Sequence, residues 1–192
     1  MIKKLLLSIA TLFLIWQSYM LLQSIHKFEP NSWGSILFVA WIINLFITGI
    51  FAFSVFAFPT QKLLPKSYYR ISDPRRLKRI CNLMRMDLFR QMLLLTLWKS
   101  KKQRKKYFNG KKDGIPNLIE QSMKSEFGHL LPFVFICIVS VYLIAIGQNS
   151  VSLATILINI IGNLYPIYLQ RHHRMRIQII QKRQQPLKDR MN

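Results

Sequence analysis

Acidic residues and cysteine are scarce in this chain of 192 residues, which has seven Asp and Glu against 28 Lys and Arg and a formal net charge of +21. The two cysteines, Cys81 and Cys137, lack the spacing of a metal or redox motif, and no disulfide is expected between them. A glycine-rich phosphate loop, a nucleophilic Ser or Cys motif and a metal-ligand cluster are also missing from the sequence. We therefore expect neither a bound metal nor a cofactor.

Charged residues are absent from three long stretches, 5–25, 30–61 and 127–170. About 20 apolar residues in a helix cross the ~30 Å of hydrocarbon in a bilayer. The first two stretches can each supply one such helix, and the third can supply two, with the four residues Gly147 to Ser150 as a tight turn centred between Gln148 and Asn149. The predicted membrane spans are 5–25, 33–58, 129–146 and 151–169.

The predicted fold class is an all-α polytopic membrane protein, a single membrane domain over 1–192. Nearly all of its basic residues fall on one side of the predicted membrane. That side holds the N-terminus, the segment 59–128 and the tail 170–192, which together contain 27 of the 28 Lys and Arg. The positive-inside tendency then predicts a multi-pass protein of the cell membrane with both termini cytoplasmic. The alternative for the first stretch is a signal peptide, but a convincing cleavage site is missing.

The basic segment between the second and third spans is expected to be helical at the cytoplasmic surface. Asp73 followed by Pro74 is typical of a helix start, and the helix is predicted to run to about Trp98. Whether residues 80–98 lie on, dip into or span the membrane is left open. The basic run 99–106 suits either anionic lipid headgroups or a polyanionic substrate such as a coenzyme A thioester. Nucleic acid is not expected as a partner, because base-reading motifs are missing.

Polar side chains near the last two spans are the candidates for chemistry, because such groups are costly next to lipid. Glu126 and His129 share a helix face, as do Asn159 and Asn163. The predicted hairpin sets Glu126 level with Arg171 and His129 level with residue 168, with Asn163 deeper. The residues expected to line one pocket open to the cytoplasm are Glu126, His129, Asn163, Gln170 and Arg171.

Each candidate has a structural alternative. His129 can act as a general base near neutral pH, with the Glu126 carboxylate orienting it. Glu126 and Arg171 can equally form an ion pair that only holds the hairpin together. Asn159 is expected to bond a neighbouring helix. Pro166 removes a backbone donor and leaves a main-chain carbonyl without its helical partner.

The set of residues over 115–183 resembles the glycosyl-4,4'-diaponeurosporenoate acyltransferases, the membrane acyltransferases of the staphyloxanthin pathway. The residues that carry the resemblance are Glu126-x-x-His129, Asn163, Pro166 and Gln170-Arg171-x-x-Arg174-x-Arg176.

This resemblance implies transfer of a fatty acyl group from an activated donor, acyl-CoA, to a hydroxyl of a lipid-embedded glycoside such as a glycosylated carotenoid. It implies His129 as base, Glu126 as its orienting group and Asn163 as donor to the oxyanion. It also implies substrate binding by a basic group: Gln170, Arg171, Arg174 and Arg176. The partners would be membrane lipids, the acyl donor and a lipid or glycolipid acceptor. Two other classes stay open, a small membrane reductase or methyltransferase of lipids, and a non-catalytic holin-like or scaffold protein.

Overall fold

The computed structural model of the protein describes residues 1–29, 32–96 and 112–189, with side chains to residue 181. In these ranges all regular structure is helical. The α-helices are α1 (Ile2–Ser24), α2 (Trp33–Ala57), α3 (Lys66–Tyr69), α4 (Pro74–Leu83), α5 (Met86–Leu95), α6 (Ile115–Ala145), α7 (Asn149–Asn159) and α8 (Tyr165–Asp189). A π-helical segment, Ile160–Leu164, joins α7 to α8.

Four helical segments in the described part of the chain are long and apolar enough to cross a membrane. They are Ile2–Lys27, Trp33–Ala57, Ile115–Ala145 and Asn149–Gln181. The predicted all-helical membrane fold is therefore confirmed.

The chain contacts divide into two compact units. The first unit is 1–63 with 127–166, and the second unit is 64–126 with 167–192. The assignment of the whole chain to a single domain stays a prediction.

The first unit has a small buried core and a broad apolar surface. Its core residues include Ile25, Ala40, Ile43, Ile136, Leu143 and Val151. Large apolar side chains such as Leu12, Phe13 and Phe38 stay more than half exposed. An apolar surface of this extent is what a lipid environment stabilises, because water would not solvate it.

A tight turn at Gly147 ends α6 and starts the helical hairpin. Gly147 has a φ of 80°, a left-handed conformation that glycine adopts at little cost. The N–H of Gln148 donates to the carbonyl of Leu143 at 2.8 Å, and the N–H of Gly147 donates to Ile144 at 3.0 Å. This pair of bonds is the Schellman motif, which satisfies the last carbonyls of a helix.

The register of the hairpin differs from the predicted one. The Ser152 hydroxyl donates to the carbonyl of Ser140 at 2.8 Å, and the Asn159 amide donates to the carbonyl of Phe133 at 3.0 Å. Both pairs are centred on Ile146, between two and three residues before the predicted centre. The predicted turn centre lay too far towards the C-terminus because Gly147 was counted as the first of four turn residues. In the structure Gly147 itself closes the helix.

In the second unit, the predicted helix start at Asp73 is present. The Asp73 carboxylate accepts a hydrogen bond from the N–H of Arg76 at 2.9 Å, with Pro74 as the first helical residue. The single helix predicted to run to Trp98 is wrong, because α4 and α5 are separated at Arg85, whose φ is 50°. Trp98 and the basic run 99–106 lie outside the described residues.

Candidate functional site

His129 belongs to a polar cluster inside the first unit. It projects from α6 with its ring partly buried, and its Nδ1 lies 3.0 Å from Oδ1 of Asn163. Asn163 is buried on the π-helical segment. The two residues are centred on Ile146, so the shift in hairpin register is what pairs His129 with Asn163 instead of residue 168.

A chain of hydrogen bonds fixes the tautomer of His129. Asn159 Nδ2 donates to the main-chain carbonyl of Phe133 at 3.0 Å, so the side-chain oxygen of Asn159 faces the other way. Asn163 Nδ2 donates to that oxygen at 3.0 Å and to Oγ1 of Thr48 at 3.1 Å. The oxygen of Asn163 therefore faces the imidazole and accepts from Nδ1–H. In the neutral ring the lone pair is then on Nε2, where it can accept a proton.

The carbonyl of Gly162 also interacts with this ring. Pro166 has no N–H to give that carbonyl, and the helix changes to i→i−5 bonding just before it, with Tyr165 N–H donating to Ile160. Single-turn π-helical segments occur frequently at functional sites. When His129 takes a proton, the Asn163 oxygen remains available to stabilise the imidazolium.

The same network constrains the predicted role of Asn163. Both hydrogens of its amide are used, one by Asn159 and one by Thr48. Donation to a thioester oxyanion would require Asn163 to give up one of these bonds. That role stays a prediction, whereas the bond to His129 is present.

Glu126 belongs to a second cluster, inside the second unit, where it pairs with Arg174. Both side chains are buried, Glu126 fully and Arg174 at 2% exposure. One guanidinium nitrogen of Arg174 bonds the Glu126 carboxylate. A second nitrogen donates to the Ser122 hydroxyl at 2.8 Å, and Nε donates to the carbonyl of Tyr69 at 3.3 Å. Arg174 is thus held on three sides by protein groups, and its predicted contact with a donor phosphate stays a prediction.

Arg171 lies on the other oxygen of the same carboxylate. Its Nε is 3.7 Å from Glu126 Oε1, in agreement with the predicted register of these two residues. Nη2 of Arg171 donates a hydrogen bond to the main-chain carbonyl of Tyr68, with 3.2 Å between nitrogen and oxygen. The guanidinium lies over the Tyr68 ring, 5.2 Å from the ring centre. Two arginines therefore share one acidic group, and the cluster keeps a net positive charge.

The remaining predicted residues take different environments in the second unit. Gln170 is 8% exposed, and its main-chain carbonyl accepts from the Ser122 hydroxyl at 3.1 Å. The side chain of Arg176 is exposed. The structure therefore gathers the predicted residues in two clusters, His129 with Asn163 and Glu126 with Arg171 and Arg174, and a single pocket formed by all of them stays a prediction.

Burial also shifts the acidity of a tyrosine in the Glu126 cluster. The pKa of Tyr69 is raised to about 12, first by burial of its phenol and then by the neighbouring Tyr68, with Arg174 opposing. Its phenol is therefore neutral over the physiological range. Tyr69 serves the cluster through its carbonyl and through its ring, which lies 5.4 Å from the Arg174 guanidinium.

Sequence reasoning missed Thr48, Ser122 and Tyr69. Thr48 follows another span residue, Asn44, by four positions, and Ser122 precedes Glu126 by four positions. Helical spacing of polar residues could have identified both. Tyr69 acts through its main-chain carbonyl, which carries no sequence signal. In the described ranges, no group of three His, Cys, Asp or Glu side chains is placed to hold a metal ion.

The sequence model of one protein family, the glycosyl-4,4'-diaponeurosporenoate acyltransferases, matches residues 65–183, which is more than half of the chain. The chain belongs to this family. It is therefore an acyltransferase of carotenoid biosynthesis. This family membership favours acyl transfer over the reductase, methyltransferase and scaffold alternatives. No curated protein and no solved structure matches the chain significantly. The matched region of this acyltransferase includes both clusters except for Thr48.

Proposed function

We propose that the acyltransferase moves a fatty acyl group from acyl-CoA to a hydroxyl of a glycosylated carotenoid embedded in the cell membrane. The observation that carries the proposal is the network that runs from the Phe133 carbonyl through Asn159 and Asn163 to His129. It leaves Nε2 as the basic nitrogen of a partly buried imidazole, which suits removal of a proton from a hydroxyl near neutral pH.

The reaction is an exchange at the thioester carbonyl. The acceptor hydroxyl oxygen attacks the carbonyl carbon while Nε2 of His129 takes the hydroxyl proton. The tetrahedral intermediate collapses with cleavage of the carbon–sulfur bond, and His129 returns the proton to the departing thiolate. The products are an ester and free coenzyme A, so atoms and charge balance with His129 regenerated.

Two residues position the groups that act. Asn163 holds the imidazole through Nδ1, and the resulting imidazolium is stabilised by the same oxygen. Glu126 pairs with buried Arg174 and holds Arg171, a basic group for the donor phosphates, in the same cluster. Direct orientation of His129 by Glu126 stays a prediction, because both carboxylate oxygens of Glu126 lie beside arginines.

We also propose that both termini face the cytoplasm, where soluble acyl-CoA would meet the protein. The support is the distribution of charge, with Lys27 as the one basic residue assigned to the opposite side. Thiol labelling in intact cells tests the orientation, with single cysteines introduced at Lys27 or near the C-terminus of a variant in which Cys81 and Cys137 are replaced. Labelling of the C-terminal cysteine by an impermeant reagent in intact cells contradicts it.

Lipid mass spectrometry of cells that make the glycosylated carotenoid tests the proposed reaction. Cells with the wild-type chain should contain a species heavier by one fatty acyl group, and cells with His129→Ala should lose it at equal membrane expression. His26→Ala is the matched control, because His26 is an exposed histidine of the first unit. Equal product from the His129→Ala and wild-type chains would end the proposal.

A further inference from the structure

A cleft of about 270 Å3 lies in the second unit at the start of α4. Three guanidinium groups line it, those of Arg70, Arg76 and Arg171, together with one carboxylate, Asp73. The formal charge of the lining is therefore positive. Asp73 is engaged as the cap of α4, where its Oδ1 accepts from the main chain of Arg76.

The three arginines differ in how they are held. Arg171 is fixed by Tyr68 and Glu126, through one Nη2 hydrogen and Nε. Among the described residues these contacts leave further guanidinium donors for a ligand, because arginine has five N–H groups. Arg70 and Arg76 are exposed, and no carboxylate of the described ranges lies within salt-bridge distance of either. The cleft therefore has one rigid and two adaptable sites for an anion.

The rest of the lining is suited to a flat, partly apolar group. The ring of Tyr168 is partly buried at the cleft, beside the aliphatic side chains of Leu77 and Ile80. Aromatic rings and arginine planes stack on nucleobases, whereas a lipid headgroup phosphate offers no such group. Arginine forks also match the geometry of phosphate oxygens.

We propose that this cleft binds the phosphorylated adenosine end of the acyl donor, with the arginines on phosphate and Tyr168 on the base. The proposal rests on acyl-CoA being the donor. The cleft, at about 270 Å3, is slightly smaller than sites that enclose a whole drug-sized ligand, which measure about 300–1,000 Å3. It therefore suits one part of the donor and not the whole molecule. The acyl chain and the thioester would then lie outside the cleft. Arg70 and Arg76 thereby join Arg171 as donor-binding residues, whereas buried Arg174 does not line the cleft.

The test is direct binding of adenosine 3',5'-bisphosphate to the full chain in nanodiscs, measured by equilibrium dialysis. Arg70→Gln with Arg76→Gln should raise the Kd about tenfold or more, because two charge-assisted contacts are lost. The matched control is Arg75→Gln with Arg79→Gln, which removes the same charge from exposed positions of α4 that do not line the cleft. The control should change the Kd by less than about threefold. Equal Kd values for the two double variants would overturn the proposal.

Turnover separates this inference from the proposed function. With a long-chain acyl-CoA, the Arg70/Arg76 variant should show a raised KM with kcat retained, and acyl-dephospho-CoA should raise the KM of the wild-type chain similarly. A wild-type chain that binds the bisphosphate through these arginines but forms no ester would refute the reaction and leave the cleft standing. The change in Kd and KM caused by the Arg70/Arg76 substitutions should not depend on anionic lipid in the nanodiscs if the cleft binds the donor. Loss of that change when anionic lipid is left out would assign the cleft to lipid headgroups and overturn the proposal.

Discussion

Glu126→Gln tests the buried charge cluster of the second unit with little change in shape. Glutamine keeps the size of the side chain and one acceptor oxygen, while the bonds of Arg174 to Ser122 and Tyr69 can persist. The negative charge is lost beside an arginine that is 2% exposed. Breaking a buried ion pair by removing one partner costs about 3–5 kcal/mol. For a chain of this length each kcal/mol lowers the midpoint of thermal unfolding by roughly 2–4 °C, so we expect a fall of roughly 6–20 °C.

The assay is thermal unfolding of the detergent-solubilised protein, followed by tryptophan fluorescence. Glu120→Gln is the matched control on the same helix, because Glu120 pairs with Lys124 at 3.2 Å with its side chain half exposed. A surface pair of this kind contributes about 0–1 kcal/mol, so the control should lose at most about 4 °C. Equal midpoints for Glu126→Gln and Glu120→Gln would refute the reasoning that the cluster is buried and paired.

Three further predictions follow from the same structure. Asn163→Leu should lower kcat about two- to tenfold with KM unchanged, since the bond that positions His129 is worth about 0.5–1.5 kcal/mol; steady-state kinetics with full activity would contradict this. The pKa of Tyr69 is raised to about 12 in the fold, so the free energy of unfolding should fall as pH rises from about 10 to 12, where only the unfolded phenol ionises. Thermal unfolding measured over this pH range should show a smaller decline for Tyr69→Phe than for the wild-type chain. The same decline in both chains would argue against a buried phenol. Burial and then Asp87 raise the pKa of Cys81, so the native thiol should react with iodoacetamide far more slowly than the unfolded one; equal rates by mass spectrometry would show it to be accessible.

The membrane helices were predictable because the signal is local. Charge-free stretches such as 127–170 have one stable form in lipid, a helix, and Gly147 marks the turn. The contact of Glu126 with Arg171 is present, but it was predicted from a turn centre two to three residues too far along the chain, so it does not follow from the hairpin register. The partner of His129 was not predictable, because an error of two to three residues in the turn centre moves the paired position by about five residues, from 168 to 163, which is more than one helical turn.

Other features depend on contacts distant in sequence, which periodicity does not report. Thr48 reaches Asn163 across 115 positions, and Tyr69 reaches Arg174 across 105. The break between α4 and α5 occurs at Arg85, a residue type that seldom adopts the left-handed conformation. A glycine there would have been a recognisable signal, and an arginine is not.

Acyl transfer by purified protein is the most direct test of the account. The wild-type chain in nanodiscs would receive a long-chain acyl-CoA and a glycosylated carotenoid, with released thiol and new ester measured together. We predict equal amounts of the two products, and a rate reduced by about 10²–10⁴ in His129→Ala, as expected for loss of a general base. Thiol release without ester, or ester formed at the wild-type rate by His129→Ala, would contradict the account.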